Sequence, residues 1–274
     1  MQNNLKISFI GGGNMAAALI GGLAGRLTAG SNIHVVDINA DALARLEQQF
    51  GVTIAQQIDA AVAASDVVVL AVKPQQMRDV AAQLKPHVGQ QLVLSIAAGI
   101  RGVDLSRWLG GHGAVVRTMP NTPALIGQGI TGMAALPGVS AGQREAADAI
   151  MRAVGGTVWL DDESLIDPVT AVSGSGPAYV FYFIEAMQQA AQELGLTAEQ
   201  GTQLAIATFT GAAQLAAQSA DPVSVLRERV TSKDGTTHAA LQSMEQAGVK
   251  QAIVQALHAA AARGKELGEE FGRD

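Results

Sequence analysis

Cysteine is absent from the 274 residues. A disulfide framework, a thiolate zinc site and a cysteine nucleophile are therefore excluded. Aromatic side chains are scarce at 4%, while apolar residues make up 48% and glycines number 31. A core must then be assembled from Ala, Val, Leu and Ile, and with only 15% charged residues the chain does not have the composition of a disordered one. No apolar run reaches the roughly 18 residues that a membrane-spanning helix needs. Lys and Arg number 18 against 24 Asp and Glu, a formal charge of -6, and no basic run stands out. Sequence-independent binding to nucleic acid needs several phosphate-neutralising cations, so neither a nucleic-acid nor a membrane partner is expected. No metal site is expected either. Lysine is missing between Lys85 and Lys233, and His112 is the only histidine between His87 and His238. Oxidation of a hydroxy acid uses a Lys or His base, so this scarcity speaks against that reaction. Residues 1–27 place Lys6 before an apolar stretch, as a signal peptide does, but Gly11, Gly12, Gly13 and Asn14 interrupt it. A strand, a turn and a helix explain the same residues better, and an intracellular, cytoplasmic protein is expected.

What is present is alternation. Short β-branched runs at 6–10, 33–37, 67–72, 92–96 and 115–119 are separated by helical stretches at 15–27, 40–50, 75–84 and 103–109. Later strands are expected at 130–136 and 157–160, around a helix at 141–154. Such βαβ patterning predicts an α/β fold with a doubly wound, Rossmann-type parallel sheet. Runs such as Val67-Val68-Val69-Leu70 do not alternate with polar residues and read as strands covered on both faces. Beyond Asp161-Asp162 the strand signal ends and Ala-, Gln- and Leu-rich helices are expected at 176–194, 197–218, 223–230, 236–246 and 249–271. The boundary is placed at 162, giving a dinucleotide-binding domain over 1–162 and an all-helical domain over 163–274. Tyr179-Val180-Phe181-Tyr182-Phe183-Ile184 shows no polar face for two turns. A helix apolar all round must be buried, either within its own chain or, as expected here, by a second subunit, which makes the helical domain a dimerisation domain.

The first strand runs into Gly11-Gly12-Gly13-Asn14-Met15-Ala16, a G-x-G-x-x-A pattern. Gly11 permits the tight strand-to-helix turn, Gly13 lets a pyrophosphate approach the backbone, and Ala16 lets helix and strand lie close. The helix that follows offers free N–H groups and a positive dipole end. Ile10, Gly11, Gly13, Asn14 and Met15 are candidate cofactor-binding residues. A glycine-rich turn without a ligand is the alternative, and the strand–turn–helix context favours the dinucleotide. Asp37 ends the second predicted strand, where an acidic group accepts hydrogen bonds from ribose hydroxyls and repels a 2′-phosphate. That favours NADH over NADPH, unless Asp37 turns away and Asn39 with nearby backbone accommodates the phosphate.

Three further segments reach the carboxyl edge of the expected sheet, where ligands of open α/β sheets bind. They contribute Ala71, Val72, Lys73 and Pro74, then Ile96, Ala97 and Ala98, then Asn121 as cofactor-lining candidates, with Lys73 and Asn121 open to the alternative of water-exposed loop residues. In the helical half, Ser173-Gly174-Ser175-Gly176-Pro177 reads as a small, polar, flexible loop, with Ser175 a candidate substrate contact. The loop over 230–237 precedes a helix and could hold a carboxylate without an Arg. Ordinary helix capping by Ser or Thr is the alternative for both.

These segments together resemble a known family, the pyrroline-5-carboxylate reductases. The resemblance runs along nearly the whole chain through FIGGGNMAAA (9–18), AVKPQ (71–75), MPNTP (119–123), AVSGSGPAY (171–179) and VTSKDGTTHAAL (230–241). It implies reduction of 1-pyrroline-5-carboxylate to L-proline with NADPH or NADH, the last step of proline biosynthesis. It also implies a homodimer at least, often a decamer, with the substrate pocket between one subunit's nucleotide domain and another's helical domain. Carried onto this sequence, Ser232, Gly235, Thr236 and Thr237 would hold the substrate's carboxylate and ring, with Thr237 near the imine nitrogen as proton donor. The sequence departs from the family pattern in four places. Lys233-Asp234 stands where the family has Pro-Gly, Ala220 where an acidic residue is common, Ile58 where an Asn is common, and Asp37 among many members that favour NADPH. Rival readings are another hydride-transfer enzyme on this architecture and a nucleotide-sensing protein without turnover.

Overall fold

A computed structural model describes residues 4–273. The chain forms two compact units, one of residues 4–175 with 260–273 and the other of residues 176–259. The division falls later than 162. Residues 163–175 pack with the sheet, and the end of the chain returns to it.

The first unit is an eight-stranded sheet. Its strands are β1 (Ile7–Ile10), β2 (Ile33–Val36), β3 (Thr53–Ala55), β4 (Val67–Leu70), β5 (Leu92–Ser95), β6 (Val115–Met119), β7 (Gly129–Ala135) and β8 (Gly155–Trp159). They lie in the order β3-β2-β1-β4-β5-β6-β7-β8. All neighbours are parallel except β6 and β7. Its helices are α1 (Asn14–Leu23), α2 (Ala40–Phe50), α3 (Ala60–Ala63), α4 (Met77–Leu84), α5 (Gly102–Trp108), α6 (Ala141–Arg152) and α7 (Ile166–Val169). The strand order reverses between β1 and β4, which opens a crevice at their carboxyl ends.

β1, β2, β4 and β5 are buried along their whole length, as strands sandwiched between helices must be. Ile7, Phe9, Val67 and Val69 face a core filled by Leu19, Ile20 and Leu23 of α1, Leu43 and Leu46 of α2, and Ile150 and Met151 of α6. Ile10, Val68 and Leu70 face the opposite core, with Val62, Met77, Ala81, Leu84 and Leu105. Burying one such side chain contributes about 1.5–3 kcal/mol. The helices start where capping chemistry places them. Asn39 Oδ1 accepts the Asp41 and Ala42 N–H groups at 3.1 Å each to open α2, and Ser140 and Gln143 form a reciprocal capping box on α6.

Two expectations change here. α1 ends at Leu23 rather than near 27, because Gly25 turns back at φ 75°. The segment read as a flexible loop is a π-helical turn, Thr170–Gly174, that α8 follows directly at Gly176. The turn is held to the sheet by Asn121, whose Nδ2 donates to Ser173 O at 3.2 Å. The segment before it is tied by Arg117 on β6, a guanidinium 4% exposed and 3.2 and 3.0 Å from the carboxylates of Glu163 and Asp167.

The second unit is helical: α8 (Gly176–Glu193), α9 (Ala198–Gln218), α10 (Val223–Arg229), α11 (Thr236–Gln246) and the first part of α12 (Val249–Phe271). α8 and α9 pack closely, with a Cβ on Gly201 falling 2.9 Å from Ala191 Cβ and the rings of Phe183 and Phe209 6.4 Å apart. α8 buries no residue in this chain. Phe181 is 61% and Tyr182 72% exposed, an apolar surface that water alone would not favour. No described helix is long and apolar enough to cross a membrane.

Candidate active site

At the carboxyl end of β1 the backbone makes its sharpest turn. Gly11 has φ 104°, and a Cβ there would sit 2.6 Å from Ala71 O, so only glycine fits. Its N–H donates to Val36 O at 2.8 Å, while Ala71 N–H donates to Ile10 O at 2.8 Å, which locks the turn between β2 and β4. Gly13 is the opposite case: nothing lies within 4 Å of a Cβ built on it. It is exposed and forms the N-cap of α1 with no side-chain cap. The free N–H groups of α1 therefore open onto space that an anion can occupy.

Beside the turn lies a cleft of about 960 Å³. Its lining brings together Ile10, Gly11, Asp37, Val72 and Lys73 from the sequence candidates. It adds groups the sequence reading left out: Ile38, Gln56, Gln57, Gln76, Asp79, Val80 and Gln83. Only the fold, which brings the segments after β2 and β3, the turn before α4 and α4 itself to one crevice, reveals these. Ile58, where the resemblance expected an Asn, lines the same cleft. Asp37 is rigidly placed, with Oδ2 accepting Gly12 N–H at 2.6 Å and Oδ1 accepting Asn39 N–H at 2.8 Å.

Other candidates sit elsewhere. Asn14 is exposed at the start of α1, Met15 is half-buried against the first core, and Pro74 follows Lys73 into a short 3₁₀ turn, Pro74–Gln76. Ala71, Ile96 and Ala98 are half-buried and Ala97 is buried at the edge beyond β4 and β5. Asn121 is engaged within the chain. It is 8% exposed, its Oδ1 accepts Ile130 N–H at 2.9 Å and its Nδ2 is engaged by Ser173 O. Its amide knits the sheet to the π-helical turn.

The hydroxyl-rich segment forms a tight turn, with Gly235 N–H donating to Ser232 O at 3.1 Å. Asp234 has φ 60° and is the one non-glycine residue at positive φ among the described residues. The backbone here demands what glycine gives freely, which is why Asp, tolerant of this region, can replace the family's Gly. Gly235 is the N-cap of α11 and carries no side chain, so the first N–H groups of that helix have no side-chain acceptor. Ser232 and Thr236 are exposed, and Gly235 and Thr237 half-buried, at this helix start. Ser175, half-buried, closes the π-helical turn. Among the described residues no group of three or more His, Asp or Glu could hold a metal ion.

A doubly wound sheet with an open glycine turn, a carboxylate beyond the end of β2 on the adjoining cleft and a separate helical unit defines a dinucleotide-dependent oxidoreductase. Residues 6–99 match the family model described as NADP oxidoreductase, coenzyme F420-dependent, and residues 163–267 match that of pyrroline-5-carboxylate reductase dimerisation. A pyrroline-5-carboxylate reductase of Pseudomonas aeruginosa is 47% identical over 98% of both chains. The structure of one from Coxiella burnetii superposes with a TM-score of 0.91 at 40% identity, covering 97% of this chain and 99% of that one. The NADP-bound reductase of Plasmodium falciparum gives 0.87 at 28% identity, over 98% and 99%. The chain belongs to the pyrroline-5-carboxylate reductase family.

Proposed function

We propose that the chain reduces 1-pyrroline-5-carboxylate to L-proline with NADH or NADPH. Full-length likeness to reductases of that name carries this reading, and the local geometry supports it. When bound, the reduced nicotinamide supplies a hydride to the imine carbon. Gly11 and Gly13 admit the pyrophosphate to the start of α1, and Asp37 accepts the ribose hydroxyls. Ile10, Asn14, Met15, Ala71, Val72, Lys73, Pro74, Ile96, Ala97 and Ala98 line the cofactor. Ser232, Gly235, Thr236 and Ser175 hold the ring and carboxylate, with the uncapped N–H groups of α11 complementing the anion. Thr237 hydrogen-bonds the imine nitrogen and keeps it protonated. A protonated imine is already electrophilic at carbon, so the protein needs orientation more than a strong base. The scarcity of Lys and His fits that demand.

The exposed apolar face of α8 lies within the matched dimerisation segment. We propose a homodimer at least, assembling further to a decamer, that works in the cytoplasm. The purified protein is expected to oxidise NADH or NADPH only when given 1-pyrroline-5-carboxylate. Thr237→Ala should lower kcat/KM about a hundredfold or more, the lower end of the range for losing one positioned proton donor being about a hundredfold, and leave cofactor affinity nearly intact. Absence of turnover with either cofactor would reject the reaction, and unchanged kinetics would remove Thr237 from it.

A further inference from the structure

We propose that the chain is selective for NADH, and that Asp37 sets this by holding the glycine turn and excluding a 2′-phosphate with the same carboxylate. The proposal rests on the nicotinamide-dependent reading above and narrows its cofactor. Gly12 is buried and donates its N–H to Asp37 Oδ2 at 2.6 Å, while Asn39 N–H holds Oδ1 at 2.8 Å. Backbone donors cannot follow the side chain if it rotates. Swinging Asp37 aside for an anion would leave the Gly12 N–H buried without its acceptor, which carries the desolvation penalty of that group. Held in place, each oxygen keeps lone-pair capacity for a ribose hydroxyl.

The surroundings offer a 2′-phosphate no compensation. Asn39 Oδ1 already caps α2 through Asp41 and Ala42. The other charged side chains on the cleft are Asp79 and Lys73, and no arginine lines it among the described residues. The lining thus carries two carboxylates and one ammonium before a group of nearly two further negative charges arrives. Even in an aqueous dielectric, such a phosphate at contact distance from one carboxylate is disfavoured about tenfold or more.

The coupling makes the idea testable. Binding and initial rates are measured with NADH and NADPH on the full chain and on Asp37→Ser. The wild type should favour NADH about tenfold or more, and Asp37→Ser should shrink that ratio by a similar factor, gaining NADPH affinity while losing NADH affinity. A role confined to the turn would weaken both cofactors in parallel and leave the ratio unmoved. That result, or wild-type parity or NADPH preference, overturns the proposal. Should Asp37→Ser not fold, competition on the wild type decides. ADP-ribose should displace bound NADH about tenfold better than its 2′-phosphorylated form, and equal displacement refutes selectivity. Because binding is read without substrate, selective NADH binding without turnover would defeat the proposed reaction and leave this inference standing.

Discussion

Replacing Arg117 by alanine removes the one cation of a buried cluster. The guanidinium, 4% exposed, faces Glu163 and Asp167 at 3.2 and 3.0 Å, and these carboxylates are only 21% and 20% exposed. Glu163 Oε1 also accepts Gly102 N–H at 2.5 Å, which pins it in place. Each contact is worth up to about 5 kcal/mol before desolvation at an effective dielectric near 20. Breaking a buried pair by deleting one partner costs about 3–5 kcal/mol in total. Two partly buried carboxylates lose the same cation here, so the upper part of that range, about 4–5 kcal/mol, is expected. With about 2–4 °C lost per kcal/mol in a chain of this size, the melting temperature should fall by about 10 °C or more. Calorimetry at neutral pH reads this directly. The neutral triple variant Arg117→Met, Glu163→Gln, Asp167→Asn should recover much of the loss, because it leaves no unpaired charge. A cost under about 1 kcal/mol for Arg117→Ala, or no recovery in the triple variant, would show that the apolar packing of Ile166 and Ala171 holds this segment without the ions.

Gly11→Ala forces a side chain to φ 104° and onto Ala71 O. It should destabilise by about 3 kcal/mol or more and weaken dinucleotide binding at least about tenfold, and titration calorimetry showing wild-type affinity would refute the tight turn. Asp148 supplies a pH signature. Burial raises its pKa, but hydrogen bonds from Thr157, Arg152 and Trp159 outweigh that and the net shift is downward. Its folded-state pKa lies below its unfolded one, so its stabilisation is complete above about pH 4 and fades as pH falls through the folded value. Thermal melts between about pH 5 and 2 should show the wild type losing its margin over Asp148→Asn, and parallel pH profiles would remove Asp148 from acid stability.

Much of this architecture was legible because local chemistry and global fold agree. The glycine turn needs its glycines, and the unbroken Val67–Leu70 run needs cover on both faces. What escaped notice depends on tertiary contact. β3 is a three-residue edge strand, Thr53–Ala55, made a strand only by pairing with β2. Ser173 and Gly174 look like loop residues, yet Arg117 and Asn121 hold their segment in helical form. The bonds of Asn121 to Ile130 and Ser173 could not be read from the sequence. The return of α12 has no local signal at all, being written in the fit of Leu267 and Phe271 to a loop far upstream.

That return makes the nucleotide-binding unit discontinuous. Gly99 turns at φ 72° with Leu267 Cβ 3.1 Å and the Phe271 ring 3.4 Å from where its own Cβ would be. Arg107 donates to Gly272 O at 2.7 Å across 165 positions of sequence. During synthesis the bend beyond β5 lacks these contacts until α12 has been made. All eight strands are therefore made before the helix that braces this bend.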